Sequence, residues 1–531
     1  MQNAGGRCEI RSDTRKNVMK TNSHLLMVAT AALSLALGAC TVGPKYHAPA
    51  PAVPPEFKGA AATPAAPVTA PTTAPADPTQ AGLGAWNVAD PKDGLLKGKW
   101  WEIYQEPELN ALEEQLVLGN QTIQQSMENY TAARAMIREQ RAGLFPTATV
   151  GASGSRSRTS ANAPGTTKAV QSTLLELPAT VSWEPDLWGK VRNAVRQAQY
   201  NAQLSAADLE NVRLTEQAAL ATYYFELRGQ DTQSLILQQT LDADLKALDY
   251  AKAQFETGVG TELAMVQAQN TVDTVRSSLL NLGLARAQYE HAIATLIGKP
   301  APEFSMPVRA QVITPPAIPV GVPSNLLERR PDIAAAERQL AAANAQIGIA
   351  KAAFFPNLSI SASAGLESST WKKLFDWPSR FWSIGPSVSE TVFDAGLRRA
   401  TMQQYTATYN GYLAGYRQTV LTAFQQVEDS LSALRVLSDQ IQQQHLAVQS
   451  AQRALDMEMA RYQTGLDAYV NVVTEQNALL SAQQTLASLE VQRAVYSVQL
   501  VEALGGGWER AQLPSPEQVS AKPEAPEKIQ P

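Results

Sequence analysis

Two stretches of the chain are one sequence read twice, 207 positions apart and without a gap. Phe255, Thr257, Gly258, Val259, Val266, Gln269, Asn270, Leu279, Arg286, Ala287, Tyr289 and Gly298 recur as Tyr462, Thr464, Gly465, Leu466, Val473, Gln476, Asn477, Leu486, Arg493, Ala494, Tyr496 and Gly505. Upstream, Leu144, Phe145, Pro146, Val150 and Ala152 match Phe354, Phe355, Pro356, Ile360 and Ala362 at an offset of 210, which puts the 3-residue difference in a loop between strands. A repeated unit buries its apolar face against its own copy. The 531 residues, long enough for several domains, therefore read as one elongated pseudo-twofold body.

The composition of each copy says what the unit is. No proline occurs between Pro185 and Pro300 or between Pro386 and Pro514. Such breaker-free runs, rich in Ala, Gln and Leu, predict very long helices. Val191 to Glu256 is 66 residues, which would span roughly 100 Å at about 1.5 Å per residue. Val272, Val275, Leu279, Leu282, Arg286, Tyr289, Ile293 and Leu296 hold a and d heptad positions, as do Leu479, Ala482, Leu486, Leu489, Arg493, Tyr496, Leu500 and Ala503. A preceding helix repeats the seam with Leu434, Leu437, Ile441, Val448, Ala451 and Leu455. Gly258 and Gly465 punctuate the turns between antiparallel helices. Arg286 and Arg493 lie on this seam and need a carboxylate or a polar tunnel to reach, a structural role.

Strand material precedes each helical stretch. Asn357, Ser359, Ser361 and Ser363 alternate with Leu358, Ile360, Ala362 and Ala364, and Thr147, Thr149, Gly151 and Ser153 alternate with Ala148, Val150 and Ala152. One face is polar and the other apolar. Partner strands run near Leu175, Leu177, Ala179, Val181 and Trp183, and near Trp382, Ile384, Pro386 and Val388. Four strands cannot close a membrane barrel, because bacterial barrels begin at about eight. Two chains would give a filled interior, whereas three give 12 strands and a lumen. Trp183, Trp188, Trp371, Trp377 and Trp382 cluster here as an interfacial belt would.

The N-terminus carries an address. Lys20 precedes the apolar run Leu25 to Leu37, and Leu37, Gly38, Ala39 and Cys40 follow. That is a secretory signal, too short for a membrane span, with Met19 read as the initiator. The Leu-Gly-Ala-Cys sequence resembles the bacterial lipoprotein box, which implies cleavage between Ala39 and Cys40 and lipidation of Cys40. Thr41 after the cysteine implies export to the outer membrane. Cys8 leaves with the signal, so the mature chain keeps one cysteine and forms no internal disulfide. The expected divisions are a signal peptide over 1–39, a lipidated Pro/Ala-rich tether over 40–85, a first repeat over 86–300, a linker over 301–325, a second repeat over 326–510 and a disordered tail over 511–531. Ten of the 32 prolines fall between Pro44 and Pro78, the composition of an extended tether.

Charge and motif searches exclude other classes. Charged residues are 18% of the chain and the net charge is -5, without the basic surplus of a nucleic-acid binder. His47, His291 and His445 have no metal-ligand spacing, and no catalytic constellation or cofactor motif is readable. Gly505-Gly506-Gly507 reads as a helix stop rather than a phosphate cradle. The chain is not expected to be an enzyme.

The lipobox, Lys99-Trp100-Trp101-Glu102-Ile103-Tyr104, the Leu-Phe-Pro and Phe-Phe-Pro strand starts, Leu327-Glu328-Arg329-Arg330-Pro331-Asp332-Ile333 and the paired Thr-Gly turns resemble the outer membrane efflux channel family. The resemblance spans essentially the whole mature chain, with OprM-like and NodT-like lipoproteins nearer and TolC more distant. It implies a mixed α and β membrane protein: a homotrimer with four strands per chain in a shared 12-stranded barrel and long antiparallel coiled-coil helices forming a periplasmic tunnel. It also implies outer membrane lipid around the barrel, a periplasmic adaptor and an inner membrane transporter of the proton-driven drug efflux type as partners, and passive conduction of substrate. Two alternatives share parts of the pattern: a type I protein secretion channel, and a periplasmic coiled-coil adaptor lipoprotein. The latter should carry one hairpin rather than two.

The resemblance places the constriction at the turn after Gly465, with an apolar gate residue at Val470. TolC-like tips carry paired Asp residues where Asn471 and Thr474 stand here, and OprM-like tips also place Asp at the site of Thr474. The expected gate set is therefore Asp467, Val470, Asn471, Thr474 and Glu475, with Asp467 or Glu475 supplying the acidic ring.

Overall fold

The computed structural model describes residues 41–51, 53–54, 57, 98–162, 164, 168–311, 314–316, 318 and 326–521. The signal sequence, Cys40 and positions 58–97 and 522–531 lie outside the described residues.

Helices dominate, and their bounds repeat with the sequence. Helix α1 is Pro107–Gly119 and α2 is Gln121–Ala142. Next come α3, Lys190–Glu256, of 67 residues, and α4, Glu262–Leu296, of 35. The second copy supplies α5, Pro331–Ala352, then α6, Leu397–Gln463, and α7, Tyr469–Ala503, again 67 and 35 residues. Every heptad position named above on α4 and α7 is buried or half-buried. The pairs α3 with α4 and α6 with α7 form two antiparallel hairpins, and α2 and α5 pack beside the N-terminal part of α3. Among the described residues no helix is long and apolar enough to cross a membrane.

The sheet is formed by β1 (Thr147–Val150), β2 (Ser153–Arg158), β3 (Gln171–Trp183), β4 (Asn357–Ser368) and β5 (Arg380–Ser389). β1 and β2 both pair antiparallel with β3 in one continuous register, Val150 opposite Ala179 and Ser153 opposite Glu176. The break between them faces Pro178, which has no N–H to donate to the ladder; its carbonyl still accepts from the Gly151 N–H at 2.9 Å. Five segments thus fill four positions, with β4 and β5 completing the order.

The register sorts the residues onto faces. Leu177, Ala179, Val181 and Trp183 lie beside Leu366, Ala364, Ala362 and Ile360 on one face, which Trp382, Ile384 and Val388 extend. On the other, Thr149 meets Thr180 at 2.6 Å and Ser363 meets Ser383 at 2.8 Å, hydroxyl to hydroxyl. The apolar face is largely exposed within one chain, Val150 at 86% and Trp382 at 77%, and among the described residues neither outer edge is paired.

Two expectations from composition are corrected. The stretch after 40 is no loose tether where it is described: the Val42 N–H donates to the Trp188 carbonyl, the Tyr46 hydroxyl donates to Glu337 Oε1 at 2.6 Å, and Phe57 is 2% exposed against the helical core. Nor is the tail disordered from 511. A short helix α8, Pro516–Ser520, begins at a capping box between Ser515 and Gln518 and seats Val519 in a cluster with Ile137, Val195, Ala198 and Ala202. In both places a few apolar or capping side chains outweigh a polar, proline-rich average. Trp188 also departs from the belt, since its ring stacks on Phe355 and its indole N–H donates to the Pro356 carbonyl at 2.7 Å.

Candidate functional site

The two hairpin turns share a backbone and differ in what holds them. Gly258 and Gly465 adopt φ of 78° and 73°, the left-handed conformation that ends helices at little cost only for glycine. Gly258 and Val259 donate to the Phe255 and Gln254 carbonyls, and Gly465 and Leu466 donate to those of Tyr462 and Arg461. The returning helix of the first hairpin is capped, because Thr261 Oγ1 accepts from the Ala264 N–H. At the second hairpin Ala468 occupies that position and offers no side-chain cap, leaving the first N–H groups of α7 without a side-chain acceptor at the cap.

Another contact closes the second turn. Asp467 Oδ2 takes the Arg461 guanidinium at 2.6 Å and its Oδ1 accepts from Asn471 Nδ2 at 3.1 Å. Of the two carboxylates expected to form an acidic ring, Asp467 is thus already engaged within its own turn. Glu475, half-exposed, is the other.

Helix α7 presents two faces here. Tyr469, Val472 and Gln476 are buried toward the first hairpin, at the spacing of one helical face. Val470, Asn471 and Thr474 are exposed on the opposite side, with Val470 46% exposed and Thr474 Oγ1 returning its proton to the Val470 carbonyl. The structure brings Val470, Asn471 and Thr474 together and ties Asp467, held by Arg461 at the apex, to this face through Asn471. Tyr462 crosses to the first hairpin, donating to Gln254 Oε1 at 2.8 Å.

Farther up, the repeat is broken by chemistry. Arg286 donates to Asp231 Oδ1 at 2.8 Å, to Glu290 at 2.6 Å and to the Met306 carbonyl at 2.7 Å. Arg228, 1% exposed, joins the same carboxylate and Glu108. The second copy has Ser438 and Ser497 where Asp231 and Glu290 stand; Ser497 pairs instead with the Tyr104 hydroxyl at 2.8 Å, and Arg493 Nε has no hydrogen-bond partner. The Arg-Arg-Pro-Asp motif is also a clasp. Arg330 holds Asp332 through two bonds and donates to Gln426 and to the Ala503 carbonyl at the end of α7.

Sequence reasoning passed over one group near the turn. Asp244 on α3 is 1% exposed and neither carboxyl oxygen has a hydrogen-bond partner. Its only signal was a charged residue on an otherwise apolar a/d rhythm.

A family model described as outer membrane efflux protein matches residues 112–299 and 322–506. The chain is 31% identical over 490 residues to the antibiotic efflux pump outer membrane protein ArpC of Pseudomonas putida, covering 92% of this chain and 96% of that one. It is 32% identical over 448 residues to the pyoverdine export outer membrane protein OpmQ of Pseudomonas aeruginosa, covering 82% and 94%. Among solved structures, the outer-membrane channel OprN superposes with a TM-score of 0.76 at 27% identity, covering 88% of this chain and all of that one. The CmeC outer membrane channel of Campylobacter jejuni, at 21% identity and a TM-score of 0.77 over 89% of this chain and 96% of that one, shares the fold.

Proposed function

The chain belongs to the outer membrane efflux protein family, and from that premise we propose how its parts build a conduit through the outer membrane and the periplasm. It is an outer membrane efflux channel. One observation carries the architecture: a four-position sheet, apolar on one face and hydroxyl-lined on the other, with both edges open, stands on helices of 67 residues. Backbone groups on an open edge are untenable in lipid. Three copies, edge to edge, would satisfy them in a 12-stranded barrel whose apolar face meets lipid and whose hydroxyl face lines water. Their six hairpins would then enclose the tunnel.

The chain performs no chemistry in this reading. A periplasmic adaptor and an inner membrane transporter of the proton-driven drug efflux type supply the energy and the selection, and substrate leaves passively. Lipidation of Cys40 fits the position of the next residue: Thr41 packs on Gly189, where β3 gives way to α3 and the sheet ends.

The constriction is assigned to Val470, Asn471 and Thr474, the exposed face at the start of α7. With Asp467 held by Arg461, Glu475 is the carboxylate left to bias passage toward cations. In planar bilayers Glu475→Ala should lower cation preference and Asp467→Ala should not; equal behaviour of both variants would sink that assignment.

The conduit role is tested in intact cells. Crosslinking should recover an adaptor and an inner membrane transporter, and deletion should sensitise cells to small toxic compounds. Recovery of an exporter with an adjacent secreted protein, at unchanged sensitivity, would establish the protein secretion alternative instead.

A further inference from the structure

Helix α3 carries an acid where its seam calls for a hydrocarbon. Leu237, Leu241, Asp244, Leu248 and Ala251 follow one another at alternating spacings of 4 and 3 residues, the rhythm of a coiled-coil core. The equivalent position in the second copy is Ala451. Asp244 sits beside an apolar cluster made of Leu248, Ala251, Ala268, Val272, Tyr469 and Val472, with Leu241, Leu245, Met265 and Leu455 around it. A carboxylate buried there without a partner opposes the packing it belongs to.

Among the described residues no cation offsets its burial. Toward this cluster α4 offers Ala264, Met265, Ala268 and Val272; α6 offers Leu455, Met459 and Tyr462; and α7 offers Tyr469, Val472 and Val473. The titratable groups among them are the phenols of Tyr462 and Tyr469, and none of them is a cation. On α3 itself Asp242 and Lys246 are exposed, away from the seam. The Tyr469 hydroxyl is buried and also lacks a hydrogen-bond partner. Burial, with a smaller contribution from the charge of Asp244, pushes that phenol up to about 12, so it stays protonated in acid and at neutral pH alike. Tyr469 is the first residue of α7 and adjoins Val470.

We infer that Asp244 is a proton-operated latch on the second hairpin: neutral, it lets the start of α7 remain packed on α3, and ionised, it drives that turn away. The inference rests on the constriction assigned above. A protonated carboxyl is a small neutral group that this apolar packing can bury at modest cost. An ionised one is a bare charge in hydrocarbon, relieved when α7 moves off and water reaches it. The uncapped start of α7, beside a capped first hairpin, is the element that can yield.

The direction with pH follows from burial, which raises the Asp244 pKa from 3.8 to about 6 in the docked state. A group with a raised docked pKa supports docking fully below its free value and loses that support as pH rises to the docked one. Docking is therefore strongest below about pH 4, weakens between about 4 and 6 and stays weak above that range. A displacement of about two pK units corresponds to at most about a hundredfold in the docking equilibrium.

The test is amide hydrogen exchange of residues 466–476 in the full-length protein, corrected for intrinsic rates, with single-channel conductance on the same preparation. Protection of this segment should fall about tenfold from pH 4.5 to pH 7. In Asp244→Asn, and in Asp244→Leu as a second variant, it should be high and equal at both values. A pH step absent from the wild type, or retained in either variant, overturns the latch. Protection that steps with pH only when Asp244 is present, with conductance unmoved, keeps the latch and refutes the constriction at Val470.

Discussion

A Cβ placed on Gly298 would stand 2.1 Å from the carbonyl oxygen of Gly119, so the end of α4 rests directly on the backbone at the end of α1. The copy does the same: Gly505 would meet the Arg329 carbonyl at 2.0 Å. Both glycines have positive φ, 73° and 93°. This contact explains why the residue recurs at the 207-residue offset. Gly298→Ala and Gly505→Ala should each cost more than about 2 kcal/mol, seen as a lower thermal midpoint of the solubilised protein.

The two seam arginines should differ sharply. Arg286→Ala removes a guanidinium shared by Asp231, which is fully buried, and Glu290. Breaking such a pair typically costs about 3 kcal/mol or more. Arg493→Ala meets Ser438 and Ser497 at those two positions, and the Glu490 it attracts is also served by His445, so it should cost less than about 1 kcal/mol. Denaturant midpoints of the two variants measured side by side would decide it, and equal losses would refute the asymmetry.

Phe57 lies in a segment whose composition suggests a spacer, yet it packs edge-on to Phe424 at 6.5 Å between ring centres. Phe57→Ala should therefore behave as a core truncation, costing about 3 kcal/mol. A spacer role predicts no change. The Tyr46→Phe variant, which removes one hydrogen bond to Glu337, should lose about 1 kcal/mol.

Glu113 is fully buried on α1 with neither carboxyl oxygen bonded, and burial pushes its pKa well above the carboxylate range. Its contribution is whole below about pH 4.5 and declines as pH rises toward the raised value. Glu113→Gln should thus raise the melting temperature at pH 8 relative to the native chain, with a smaller gain at pH 5. A constant difference across that range would exclude titration of Glu113.

Much of this architecture is legible in the amino-acid sequence itself. Proline-free stretches and a/d spacing reveal α3 and α6 because breakers and packing stripes are local signals. Alternation reveals the faces of β4 for the same reason. What escaped is carried by partners distant in the chain: Asp231 meets Arg286 55 positions away, and Asp244 gains its meaning from Tyr469 on another helix. Composition misled where single side chains decide, as at Tyr46, Phe57 and Val519. At the gate, Arg461 lies across the turn from Asp467, and only the folded turn brings them together.

The open edges of the sheet reach into genetics. If each barrel is completed by three chains, a cell expressing equal amounts of native and assembly-competent but blocked copies, mixing at random, makes only about one wholly native channel in eight. Alleles that spoil conduction while sparing β1, β5 and the helix seams should behave as dominant. Alleles that prevent a chain from joining its neighbours should be recessive.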